Sequence, residues 1–245
     1  MGNGVCVAGT DTGVGKTLVS AALARRLVRL GCAVGVMKPV ETGVSSAVPD
    51  QSDAARLMAA AQVDDSLDCV SPYRFPLPLA PLSAASAEGQ RIDQDIIMDR
   101  YAQLAARHAC LVVEGAGGVL VPMGQDWDFR DLIVRLRLPV VLVGRVGLGG
   151  INHALLTLEA LEHRKIPVVA LLLNETQAPC GAVQQEQQAS TMAVLRDRVS
   201  VPVLGPLPYQ SHANCAWADA VDAAADSLPI RELAGMVLTR GAEKS

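Results

Sequence analysis

Aromatic residues are almost missing from this 245-residue chain: two Trp, three Tyr and two Phe make up 3% of it. Its apolar half is mostly Val, Leu and Ala, the composition of parallel strands buried between layers of helix. The six cysteines (Cys6, Cys32, Cys69, Cys110, Cys180 and Cys215) are widely spaced with no C-x-x-C, so neither a zinc site nor a disulfide framework is indicated and reduced thiols are the simpler reading. Positive charge is not in excess either. Twenty-one Lys and Arg, scattered rather than clustered, face 25 Asp and Glu for a net charge of -4, so there is no electrostatic footprint for nucleic acid or an anionic membrane. Long hydrophobic runs are absent: the longest, at residues 139–144 and 167–173, are strand-sized, against the roughly 20 residues a membrane span requires. No basic region, apolar stretch and cleavage site precede the first apolar run, so the chain is expected to stay in the cytoplasm.

Glycine is plentiful, and its placement is informative. Gly9-Thr10-Asp11-Thr12-Gly13-Val14-Gly15-Lys16-Thr17 lies between an apolar run and a helical pattern. A glycine-rich turn from strand to helix lets backbone N–H groups surround phosphate oxygens, the helix N-terminus adds partial positive charge and Lys16 a full one. The hydroxyl of Thr17 is then left to hold Mg²⁺. The pattern G-x-x-x-x-G-K-[ST] would need Gly at position 10, where this chain has Thr10, so the loop is one residue longer. These residues predict a site for a nucleoside triphosphate.

Apolar runs of strand length recur at residues 5–8, 33–37, 110–113, 140–143, 168–173 and 201–204. Helical patterns at 18–30, 52–61, 94–107, 129–137, 151–164, 183–198 and 229–240 separate most of them. This alternation predicts one α/β domain over residues 1–240, a mostly parallel sheet with helices on both faces, and a frayed tail at 241–245. Residues 72–91, with Pro72, Pro76, Pro78 and Pro81, read as a long irregular excursion.

Ligands of such sheets collect beyond the carboxyl ends of the strands. Glu114 follows an apolar run and precedes Gly115-Ala116-Gly117-Gly118, so it is either a second Mg²⁺ ligand opposite Thr17 or a capping acid in a glycine-rich turn. Asp53, taken alone, is a first-turn helical acid. Lys38 either reaches solvent or faces the anionic end of a pocket, where with Lys16 it would put two cations around a transferred phosphoryl group. Thr42 offers a hydroxyl for substrate or for a turn, and Asn174 an amide for an adenine edge or for a turn. The four histidines (His108, His153, His163 and His212) show no metal-ligand spacing, and the apolar stripe Ile151, Leu155, Leu158 and Leu161 reads as core or interface.

Taken together, Gly9 to Thr17, Lys38-Pro39-Val40-Glu41-Thr42-Gly43, Glu114-Gly115-Ala116-Gly117-Gly118 and Gly149-Gly150-Ile151-Asn152-His153 strongly resemble the dethiobiotin synthetases. The likeness runs from the N-terminus to about Pro208. It implies a P-loop fold and a ligase that converts 7,8-diaminononanoate, CO₂ and MgATP to dethiobiotin, ADP and phosphate through a carbamate and a carbamic-phosphoric anhydride. By resemblance Lys16 and Lys38 stabilise carbamate and phosphoryl oxygens, Thr17, Asp53 and Glu114 hold Mg²⁺, and Thr12 and Thr42 contact the diamine or carbamate. Gly13, Val14, Gly15, Leu18, Gly115, Ala116 and Gly117 complete the nucleotide site, with Asn174, Glu175, Pro206, Leu207 and Pro208 around the adenine. Gly149, Ile151 and Asn152 are implied near the substrate's carboxylate end across a homodimer interface. Two departures stand out: Gly13 replaces an acid found in some relatives, and Ala80-Pro81-Leu82 replaces a Ser-Pro-His-like segment.

Two other functions fit a phosphate loop less well. Ligases that amidate corrin carboxylates carry an added glutaminase domain, for which there is neither length nor a nucleophilic cysteine motif. ATP switches of cell division and plasmid partition carry a second lysine near the start of the loop, and Asp11 stands there.

Overall fold

The first apolar run becomes β1 (Gly4–Gly9), and α1 (Lys16–Arg29) follows the phosphate loop directly. In a computed structural model, residues 4–45, 51–178, 181–210 and 216–242 are described. The chain continues through β2 (Val34–Met37), β3 (Val40–Thr42), α2 (Asp53–Ala61), α3 (Leu67–Val70), β4 (Tyr73–Phe75), α4 (Pro81–Ala87) and α5 (Gln94–Ala105). Then come β5 (Cys110–Gly118), α6 (Phe129–Leu136), β6 (Val140–Arg145), α7 (Gly150–His163) and β7 (Val168–Asn174). The last elements are α8 (Ala182–Arg198), β8 (Val203–Leu207), α9 (Trp217–Asp226) and α10 (Leu228–Ala242).

Six strands form one parallel sheet in the order β2-β5-β1-β6-β7-β8, with β1 paired to β5 on one side and β6 on the other. The strands are buried on both faces, which is why they read as continuous aliphatic runs rather than as alternating ones. α1 packs with α2, α9 and α10, while α5 packs on α6 and α7 on α8. The chain leaves β1 toward β2 but later crosses back over β1 from β5 to β6, so the phosphate loop sits where the winding reverses, the usual crevice for a ligand.

Four expectations change. The stretch 72–91 is not irregular throughout: Tyr73–Phe75 pairs with β3 in a small second parallel sheet, and Pro81 occupies the first turn of α4, where a missing N–H costs nothing. β5 does not stop before Glu114 but runs to Gly118, so Glu114 is a strand residue, beside Val7. β8 likewise takes in Pro206 and Leu207. At the C-terminus α10 extends through Ala242, and the rest of the expected tail, 243–245, lies outside the described residues, as do Cys180, Cys215 and His212. Among the described residues no helix is long and apolar enough to cross a membrane.

Candidate active site

The phosphate loop is shaped by contacts from a distant strand. Gly15 has φ +92°, a left-handed conformation that few residues with a Cβ adopt, and it precedes α1 without a side-chain cap. No acid occupies the first turn of α1, so its N-terminal N–H groups are left for an anion. Asn174, at the end of β7 and buried, donates from Nδ2 to the Val14 carbonyl at 3.0 Å. A Cβ on Gly15 would lie 2.1 Å from that amide nitrogen, so glycine is the residue that lets the strand support the loop. Lys16 folds back over the loop and donates from Nζ to the Asp11 carbonyl at 2.9 Å. Burial, reinforced by the nearby Lys38 charge, lowers its pKa to about 8.

Behind the loop lies a buried charge cluster. Lys38, one residue past β2, sits 2.6 Å from Glu114 Oε1 and 3.0 Å from Asp53 Oδ2, and donates a further bond to the Gly115 carbonyl at 3.2 Å. Thr17 donates from its hydroxyl to the same Glu114 oxygen at 2.9 Å. Burial alone would lower the Lys38 pKa, but the two carboxylates more than offset it and raise it, so Lys38 is a fixed cation. Burial pushes the Asp53 carboxyl up, and Lys38, followed by Thr17 and Arg56, brings it below its usual value.

Glu41, at the centre of β3, was not singled out as a site residue in the sequence. Its carboxylate accepts from the Asp53 and Ala54 N–H groups at 2.5 and 3.2 Å, capping α2 jointly with Ser52, whose hydroxyl oxygen accepts from the Ala55 N–H at 3.1 Å. That pair of caps fixes the first turn of α2 and hence Asp53. Arg56 and Trp217 were missed too: the guanidinium carbon stands 4.7 Å from the indole centroid. Arg56 is three residues past Asp53 and could have been found from that helical spacing; Trp217 belongs to α9, which carried no strong pattern.

A cavity of about 310 Å³ gathers Thr12, Gly13, Gly15, Lys16, Thr17, Leu18, Lys38, Thr42, Asp53, Glu114, Ala116 and Gly117 of the expected residues, together with Glu41, Arg56 and Trp217. Val14 and Gly115 stand just behind this wall as hydrogen-bond acceptors. The remaining expected residues do not line it. Glu175 accepts from the Tyr209 N–H and donates its own to the Leu207 carbonyl, which draws Glu175, Pro206, Leu207 and Pro208 together at the ends of β7 and β8. Gly149 caps α7, and Ile151 and Asn152 occupy its first turn, outside the cavity wall within one chain. Leu82 lines a different cavity, with Trp127 and Arg135, so the departure at that position does not touch the phosphate loop.

The donor set suits a hard cation. Thr17, Asp53 and Glu114 offer only oxygen, and Glu114 Oε2 is buried with no hydrogen-bond partner, an arrangement that a divalent ion would relieve. Two carboxylates and a hydroxyl leave room for the waters and phosphate oxygens that Mg²⁺ keeps in such sites.

Sheet order, phosphate loop and charge cluster define a P-loop nucleotide-binding protein. The family described as AAA domain matches residues 3–215. Solved structures show the same fold at low identity: the MinC:MinD cell division protein complex of Aquifex aeolicus (14% identical, TM-score 0.58, covering 96% of this chain and 95% of that one) and a ParA family ATPase of Chlorobium tepidum (14%, 0.53, 97% and 98%). Curated relatives are closer in sequence. ATP-dependent dethiobiotin synthetase BioD of Anaeromyxobacter dehalogenans is 46% identical over 71% of this chain and 77% of its own length. The proteins of the same name from Thermodesulfovibrio yellowstonii and Bacillus subtilis are 38% and 35% identical, over 86% and 84% of this chain and 90% and 87% of theirs. The chain belongs to the ATP-dependent dethiobiotin synthetase family, ligases that form C–N bonds in biotin biosynthesis.

Proposed function

We propose that this cavity is where ATP activates a carbamate for closure of the dethiobiotin ring. The observation that carries the reading is the Lys38–Glu114–Asp53–Thr17 cluster, set against the phosphate loop in a chain of this family. One amine of 7,8-diaminononanoate adds to CO₂ and loses a proton, giving the carbamate. A carbamate oxygen attacks the γ-phosphorus and the bond to ADP breaks. The second amine then attacks the anhydride carbon and loses a proton, a C–N bond forms, and phosphate leaves with the oxygen that bridged carbon and phosphorus.

In this scheme the N–H groups of the loop and of α1 hold the phosphates, and Lys16 and Lys38 stabilise charge on phosphoryl and carbamate oxygens, the main catalytic demand of phosphoryl transfer. Lys38, kept cationic by its two carboxylates, serves as an electrostatic donor and not as a base. Thr12 and Thr42 contact the diamine or carbamate. Thr17, Asp53 and Glu114 would hold Mg²⁺, which would supply charge neutralisation for the phosphates. Asn174, Glu175, Pro206, Leu207 and Pro208 surround the adenine. Because Gly149, Ile151 and Asn152 do not reach the cavity of their own chain, their role at the substrate's carboxylate end is assigned to a homodimer, working in the cytoplasm. The test is product formation: with MgATP and bicarbonate, phosphate and dethiobiotin should appear together only when the diamine is added, and phosphate release without the diamine would overturn the reading.

A further inference from the structure

We propose that Arg56, held against the Trp217 ring, binds the phosphate chain of the nucleotide from the side facing the loop, and that Trp217 is its positioning residue. This rests on the nucleotide site proposed above but adds two residues outside the motifs that carry the family resemblance. Of the cations on the cavity wall, Lys38 is committed to Glu114 and Asp53, and Lys16 to a loop carbonyl. Arg56 makes no ion pair within 4 Å among the described residues; its recorded partner is the indole, 4.7 Å away. A guanidinium drawn to a ring face by its charge still carries N–H donors for other partners, and its fork matches phosphate oxygens in a bidentate manner.

Arg56 is anchored from two directions. Helix α2 is fixed at its start by Glu41 and Ser52, and α9 packs on α1 immediately behind the loop, bringing Trp217 to the same wall as Gly15, Lys16, Thr17 and Leu18. A nucleotide bound there would touch α1, α2 and α9, helices already packed together through α1. The charge balance favours the same occupant: the cavity's acids are held at short range by Lys38 or by the α2 N–H groups, and Arg56, whose charge reaches Asp53 without a close ion pair, joins Lys16 as a cation that a polyanion can meet directly.

The experiment measures binding of a non-hydrolysable ATP analogue by calorimetry, with and without Mg²⁺, to the full chain and to Arg56→Gln, Arg56→Lys, Trp217→Phe and Trp217→Leu, alongside the KM of each substrate. Arg56→Gln is expected to weaken the analogue about tenfold or more, the scale of one charge-assisted hydrogen bond, in both conditions. Arg56→Lys should recover part of the loss, Trp217→Phe most of the ring's effect, and Trp217→Leu should fall to an affinity between those of the full chain and Arg56→Gln. The KM of the diamine should move less than twofold. Analogue binding by Arg56→Gln within twofold of the unmodified chain, a loss seen only with Mg²⁺ (which would make Asp53 the group Arg56 serves), or a rise confined to the diamine KM would each overturn the assignment to phosphate. Unchanged binding in Trp217→Leu would overturn the role of the ring. Because the binding readout needs no turnover, absence of dethiobiotin from the unmodified chain would overturn the proposed reaction and leave the Arg56 test standing.

Discussion

Lys38 Nζ and Glu114 Oε1 lie 2.6 Å apart because the sheet aligns them: Met37 of β2 is paired with Val113 of β5, and the next residue of each strand path is one of this pair. The glutamate side chain is fully buried, so its carboxylate depends on Lys38 and Thr17 for partners. Replacing one member of such a pair leaves a buried charge uncompensated, at a cost of about 3–5 kcal/mol. Lys38→Ala should therefore lose dethiobiotin formation by about a hundredfold or more while retaining nucleotide binding. It should also unfold at lower temperature, and added Mg²⁺ should raise its Tm more than it raises that of the unmodified chain. Thermal scans and nucleotide titration check this, and near-normal turnover would remove Lys38 from the mechanism.

Gly15→Ala places a methyl group 2.1 Å from Asn174 Nδ2 at a backbone φ of +92°. ATP affinity should fall by about tenfold or more, through a displaced loop. Adding Asn174→Ala removes the clash but not the backbone strain, and gives up the bond to the Val14 carbonyl, so the double variant should recover only part of the loss. Full recovery would show that the φ of Gly15 is unimportant.

Glu41→Gln weakens the cap that fixes Asp53. Stability should drop by about 1 kcal/mol, the usual size of a helix N-cap effect, and the Mg²⁺ concentration for half-maximal activity should rise several-fold with kcat at saturating Mg²⁺ little changed. Activity titrated against Mg²⁺ in both proteins is the check.

Asp131 closes a capping box with Asp128 at the start of α6 and pairs with Arg164. Burial would raise its pKa, but the Asp128 N–H and then Arg164 bring it below its usual value. A carboxyl depressed in the folded state adds stability that is present above its unfolded pKa of about 3.9 and is lost as the pH falls through the folded value. Asp131→Asn should therefore lower Tm at pH 7, and its deficit should shrink progressively below about pH 4. A deficit independent of pH would assign the effect to packing.

Much of the fold was legible because each parallel strand is a run of aliphatic residues followed by polar or glycine-rich chemistry. Lys16 and Thr17 were readable from the glycine-rich turn ahead of α1, and Lys38 and Glu114 from the polar chemistry that follows an aliphatic run, although β5 carries on through Glu114 to Gly118. What a one-dimensional reading lacks is adjacency: nothing near Lys38 announces that Val113 will pair with Met37, or that Asn174 will reach Val14 from 160 positions away. Short elements also escape. The three-residue strand Tyr73–Phe75 gives no period to detect, and Pro81 signals a break although it opens a helix. Glu41 was overlooked because its partners, the N–H groups of α2, lie twelve and thirteen residues on.

Phosphorylation of a carbamate fixes the route of one oxygen atom. If a carbamate is phosphorylated and phosphate then leaves from its carbon, single-turnover reaction with CO₂ carrying ¹⁸O, mixed rapidly in ordinary water, will release phosphate bearing one labelled oxygen for each dethiobiotin formed. Dethiobiotin accompanied by unlabelled phosphate would contradict it.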